Sequence, residues 1–152
     1  MSPPIWLISG APGSGKTSVA DALARRYPKS IHFPLDDLRA LVGSGLASPL
    51  EWNEETSLQF LLARRNAARA AADYAGNGFT VVIDDVARET DLDQYVPYLG
   101  AQPLRKVLLS PSIFVVHRRN MQRTNKNFDT KILEAVSTKL HSQLIAGCHA
   151  AD

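Results

Sequence analysis

The chain is short of most things that would tie it to a special environment. It has 152 residues and a single cysteine, Cys148. One thiol excludes an internal disulfide framework and any cysteine-rich zinc site. No apolar run approaches membrane-spanning length, and no basic-then-apolar stretch opens the chain, so a soluble cytoplasmic protein is the expectation. Charge of one sign is also scarce. Seventeen Lys and Arg against fifteen Asp and Glu leave a formal net charge of +2, which gives no broad case for nucleic-acid binding. The four histidines, His32, His117, His141 and His149, show no metal-ligand spacing, so ordinary core or surface roles are expected of them. What remains is an ordinary globular composition, 45% hydrophobic and 21% charged, at a length that suits one domain over residues 1–152.

The stretch that organises the rest lies near the start. Ile5-Trp6-Leu7-Ile8-Ser9 reads as a buried strand and runs into Gly10-Ala11-Pro12-Gly13-Ser14-Gly15-Lys16-Thr17, followed by Ser18. The segment matches G-x-x-x-x-G-K-[ST], the phosphate-binding Walker A loop, in its proper context between a strand and a helix. Successive backbone N–H groups at the head of a helix form an anion nest. Lys16 supplies a point charge for the β- and γ-phosphates, and Thr17 a hard oxygen for Mg²⁺.

Strands are expected over residues 5–9, 31–35, 79–83 and 104–109. Helices are expected over 16–26, 37–42, 53–75, 91–98, 113–123 and 129–145. In the long helix, Asn53 is a plausible N-cap, and Leu58, Leu61, Leu62, Ala68, Ala72 and Ala75 recur at helical spacing. Arg64, Arg65 and Arg69 are expected to face water. Asp129 would cap the last helix. Strands alternating with helices imply an α/β fold of three layers, a parallel sheet with helices on both faces.

Ligands of such sheets bind beyond the carboxyl ends of the strands. Strand two ends in Asp36-Asp37 and strand three in Asp84-Asp85. Topology therefore carries both pairs toward the loop. Asp36 is the candidate general base for an acceptor hydroxyl, with Asp37 as a helix cap. Asp84 follows Phe79-Thr80-Val81-Val82-Ile83, four apolar residues of five, the Walker B pattern, and is a candidate Mg²⁺ ligand together with Thr17. Asp85 is not Glu, which favours transfer over hydrolysis and leaves Asp85 as a substrate contact. Arg119, Arg123 and Lys126 flank a polar loop that is suited to closing over a triphosphate, with Arg118 as the adjacent alternative. Arg39 lies one turn beyond Asp36, where a substrate contact and a plain surface charge are equally good readings. Trp52 and Phe33 are candidates for a pocket wall or for the core. Asn125-Lys126-Asn127 imitates the start of a guanine-reading N-K-x-D motif, but Phe128 stands where the Asp belongs.

Together, Gly10 to Thr17, Leu35-Asp36-Asp37-Leu38 and Val82-Ile83-Asp84-Asp85-Val86 resemble the small P-loop kinases. The resemblance is strongest to the chloramphenicol phosphotransferase-like group, within a set that includes gluconate, shikimate and zeta-type toxin kinases. It covers about residues 5–144. It implies ATP and Mg²⁺ at Gly13, Gly15, Lys16 and Thr17, a base at Asp36, a lid around residues 119–128, and a five-stranded sheet in the order 2-3-1-4-5. Here only four strands are read, so the expected order is 2-3-1-4, and residues 147–152 are too few for a fifth. Strand four would then be an edge open to pairing with a second copy.

The reading is an ATP-dependent kinase acting on a hydroxyl of a small molecule. Alternatives are a kinase for a nucleotide, an activated sugar or a nucleic-acid end, and a nucleotide-binding module without turnover.

Overall fold

The structure is a computed structural model, and it describes residues 3–123 and 129–149. Four parallel strands, β1 (Ile5–Ser9), β2 (Ser30–Pro34), β3 (Thr80–Asp85) and β4 (Leu104–Leu108), form one sheet in the order β2-β3-β1-β4. Helices α1 (Lys16–Ala24), α2 (Leu35–Ala40), α3 (Glu54–Gly76), α4 (Ile113–Met121) and α5 (Thr130–His149) surround it. The expected order and class are those observed. The segment read as a helix over 91–98 is instead two 3₁₀ turns, Glu89–Gln94 and Val96–Tyr98. No helix among the described residues is long and apolar enough to cross a membrane.

Alternation along the strands builds two cores. Ile5, Leu7, Val81 and Ile83 face α3 and pack with Phe60, Ala67, Ala68 and Ala71. Ile8 and Val82 face the other way and pack with Ala20 and Ala24 of α1. Because successive strand residues point to opposite faces, a one-residue step changes which helix layer a side chain meets. β1 and β3 pair in register, with Ile8 opposite Asp84 and Ser9 opposite Asp85. Pro34 of β2 also lies opposite Asp84.

Helix α3 begins as expected. Thr56 N donates to Asn53 Oδ1 at 2.9 Å and Asn53 N to Thr56 Oγ1 at 3.4 Å, a reciprocal cap. Of the expected face, Ala68 and Ala75 are buried, but the leucines are not. Phe60, Ala63, Arg64, Ala67, Ala68, Ala71 and Ala75 turn inward, while Leu58 and Leu62 are exposed. The small alanines bring the helix close to the sheet, and that close approach fixes its phase more firmly than the leucines do. Arg64 is consequently buried, not solvated; Arg69 is exposed, and both Arg65 and Arg69 lie over the Tyr98 ring. At the start of α5, Asp129 Oδ1 accepts from Lys131 N at 2.9 Å, the expected cap.

Candidate phosphate and acceptor site

The loop from Gly10 to Gly15 links β1 to α1. Gly13 and Gly15 hold φ of 94° and 95°, the left-handed region that favours glycine. A Cβ on Gly13 would also meet Asn120 Oδ1 at 2.6 Å. The loop is braced from behind by α4 and α5. Asn120 Nδ2 donates to Pro12 O at 2.9 Å and to Ser137 Oγ at 3.1 Å. Ser14 Oγ is buried with no hydrogen-bond partner among the described residues. A glycine-lined cradle at a helix N-terminus fits a phosphate.

Lys16 Nζ donates to Ala11 O at 3.2 Å. Desolvation lowers its pKa from the ordinary lysine value, with Asp36, Asp84 and Asp85 opposing that shift and Arg123 adding to it. Thr17 Oγ1 donates to Asp84 Oδ1 at 3.2 Å. Two hard oxygens side by side suit Mg²⁺, which takes one or two protein oxygens and completes its shell with phosphate and water. Among the described residues no group of three or more His, Cys, Asp or Glu side chains is placed to hold a metal alone.

Asp84 has a second partner that sequence reasoning missed. His32 Nε2 lies 2.6 Å from Asp84 Oδ2, and since a carboxylate only accepts, the imidazole donates. The expectation of an ordinary core or surface role for His32 is corrected by this contact. Its signal was present in the strand alternation. His32 pairs with Val82, two residues before Asp84 on the same face, so the two side chains are diagonal neighbours.

Asp85 does not reach the cleft as a substrate contact. It is buried on the α3 face, where Arg64 Nε donates to its Oδ2 at 2.7 Å and Tyr95 OH at 2.9 Å. Arg64 Nη1 also lies 3.1 Å from Asp91 Oδ1, and Asp91 in turn holds Arg88. Burial opposes the charge on Arg64, yet Asp85 and Asp91 outweigh it and hold the guanidinium protonated above its usual range. Arg39 is likewise neither a substrate contact in the main cleft nor a surface charge. It is buried beneath α2, its Nη1 donates to Ala47 O at 2.7 Å, and its guanidinium sits 4.7 Å from the Phe60 ring centroid.

A cleft of about 870 Å³ joins the remaining candidates. Lys16, Thr17 and Asp84 stand on its phosphate side, Asp36 and Asp37 at the head of α2, and Trp52 on the connection into α3. Asp36 sits in the first turn of α2, because β2 ends at Pro34. Arg123 lines the same cleft. Arg119 instead donates to Ser14 O at 3.0 Å, so it clasps the loop's own backbone. Arg118 is exposed, and Lys126 lies outside the described residues. Phe33 lines a smaller cavity between α2 and α3, not this one.

The comparisons with known proteins agree with this fold. The chain superposes on a gluconokinase from Sinorhizobium meliloti with a TM-score of 0.60 and 19% identity, covering 91% of this chain and 74% of that one. A sugar kinase from Janibacter gives 0.60 and 20%, covering 91% and 78%. A chain of the Pnkp1/Rnl/Hen1 RNA repair complex gives 0.65 and 19%, and although 93% of this chain is covered, it spans only 45% of that larger chain. No curated protein matches the sequence. These similarities share a P-loop kinase-like fold. The sequence profile described as AAA domain matches residues 5–144, and the chain belongs to that family.

Proposed function

We propose that the protein is an ATP-dependent kinase that transfers the γ-phosphoryl group to a hydroxyl of a small molecule. The observation that carries this reading is the single cleft that holds Lys16, the Thr17–Asp84 pair and Asp36 together, while Asp85 is committed to Arg64. The carboxylate next to Asp84 that could activate water, Asp85, is turned away to Arg64, and Asp36 is the carboxylate left facing the cleft.

The backbone amides of the loop and the Lys16 ammonium bind the triphosphate and neutralise its charge. Mg²⁺ would supply further neutralisation of the triphosphate charge. Thr17 and Asp84 would hold that ion, and His32 fixes the rotamer of Asp84. Asp36 accepts the proton of the acceptor hydroxyl as its oxygen bonds to the γ-phosphorus and the bond to the β-phosphate oxygen breaks, leaving ADP. Arg123 is the cation best placed to follow the transferring group, since it lines the cleft and Arg119 does not. The edge strand β4 pairs only with β1 among the described residues, which keeps a homodimer through that edge within the proposal.

Calorimetric titration with Mg-ATP, followed by transfer from γ-labelled ATP to a panel of glycerol, gluconate, nucleosides and aromatic alcohols, tests the reading. Binding with transfer to at least one hydroxyl supports it. Binding without transfer to any of them points to a module that holds nucleotide without turnover.

A further inference from the structure

The acceptor side of the cleft contains a feature that phosphate chemistry does not use. Trp52 is 54% exposed, yet it is fixed in place. Its Nε1 donates to Ser57 Oγ at 2.7 Å. Its ring stacks on Phe60 with centroids 5.1 Å apart and planes 19° from parallel. Phe60 is itself held by the Arg39 guanidinium, which Ala47 O anchors. The result is a layered support of Arg39, Phe60 and Trp52, with the outer indole surface bordering the cleft that also holds Asp36.

A tryptophan left exposed for no purpose gains nothing from such bracing. Water covers its apolar ring poorly, and a rigid aromatic surface in a cleft is an anchor with little rotamer entropy left to lose. Elsewhere the cleft wall is mixed, with Val136 and Leu140 of α5 lining it beside Lys139 and Gln143. The chemistry that such a surface recognises is the flat face of a ring, because stacking is tolerant of ring identity but requires planarity. A polyol offers hydroxyls to Asp36 but has no face to lay on the indole.

We infer that Trp52 is the stacking platform for the phosphoryl acceptor, and that the acceptor is a hydroxyl compound carrying a planar ring, a nucleoside or an aromatic alcohol. This inference rests on the kinase reading above. Trp52 sits on the connection between α2 and α3, the segment that follows Asp36, which assigns it to acceptor and not to donor. The cleft is large enough for both partners, being near the upper end of the range for small-molecule pockets of about 300–1,000 Å³.

The test uses the indole-selective fluorescence of Trp52 in a Trp6→Phe background, where it is the sole tryptophan. With Mg-ADP saturating, adenosine and 2-phenylethanol are each expected to quench the emission, and gluconate and glycerol to leave it unchanged. The stronger of the two ring compounds distinguishes a nucleoside acceptor from an aromatic one. In the transfer assay, Trp52→Ala is expected to raise the KM for the ring acceptor at least about tenfold with ATP affinity unchanged, and Trp52→Phe to recover most of it. No quenching by either ring compound, or equal quenching by the polyols, overturns the inference. So does a change produced fully by Mg-ADP alone, which would make Trp52 the adenine platform. Transfer to glycerol or gluconate that ignores Trp52→Ala sinks the platform and leaves the kinase standing. Quenching by ring compounds with no transfer to them sinks the kinase and leaves the platform.

Discussion

Asp84 and Asp85 are neighbours on one strand with opposite fates. Asp84 faces α1, where Thr17 and His32 hold its two oxygens at the edge of the phosphate loop. Asp85 faces α3, where Arg64 and Tyr95 close it into the core. Each is buried, and each is hydrogen-bonded. The difference lies only in which face of the sheet the side chain leaves. Strand parity thus sends two identical carboxylates to opposite faces of the sheet, one to the edge of the phosphate loop and one into the core. A buried carboxylate at a strand end is no guide to function until its face is known.

The comparison can be broken in several ways. On the phosphate side, Lys16→Ala should reduce kcat/KM by about 10³-fold, because the charge that it removes acts where negative charge accumulates. Its denaturation midpoint should hardly move. A large fall in stability would show that the loop lysine is structural.

On the α3 side the pattern should invert. Asp85→Ala leaves Arg64 buried and partly unpaired, and should cost about 3–5 kcal/mol of unfolding free energy in urea titration. Its folded fraction should bind Mg-ATP normally. Asp84→Asn should do the reverse, weakening Mg-ATP binding while the urea midpoint stays near that of the parent. If the two variants exchange behaviours, the division by strand parity is wrong.

His32→Ala sharpens the account at smaller scale. Loss of the imidazole frees the Asp84 carboxylate to rotate, and second-layer partners of this kind are worth about tenfold or more in metal affinity or activity. The Mg²⁺ concentration for half-maximal transfer should rise by about that factor. An unchanged Mg²⁺ dependence would reduce the contact to packing.

The smallest effect is in pH. Desolvation places the Lys16 pKa below the ordinary lysine value. Its ammonium is therefore lost earlier on raising the pH than in the unfolded chain. Between the two values the unfolded chain binds more protons, so the contribution of Lys16 to stability rises with pH across that window. Triphosphate affinity moves oppositely, falling as pH climbs through the lowered pKa. In Lys16→Arg, whose guanidinium stays charged, calorimetry should show that fall abolished.

Much of this was legible in the sequence. The loop and the Asn53 cap follow from local patterns that no distant contact overrides, and the order 2-3-1-4 follows from the resemblance to the small P-loop kinases. The phase of α3 was not legible, because leucines and alanines lie on adjoining faces, and the close approach of the sheet selects the small residues. Arg64 follows from that phase. The Arg64–Asp85 pair spans α3 and β3, and no spacing rule joins them. Arg39 and Arg119 were placed near the right region, but which atom a long side chain reaches is decided by neighbours such as Ala47 O and Ser14 O. His32 and Asp84 are different. Their parity and register were readable, and only the choice to pair them was missing.

The central claim is that Asp36 receives the proton of an acceptor hydroxyl in a site that already holds ATP. The most direct measurement is phosphoryl transfer and Mg-ATP affinity, side by side, for the parent and Asp36→Asn, using whichever hydroxyl compound of the panel the parent phosphorylates. The account predicts affinity within about twofold and a transfer rate lower by about 10²–10⁴-fold, the usual worth of a positioned general base. Transfer at the parental rate in Asp36→Asn would contradict it.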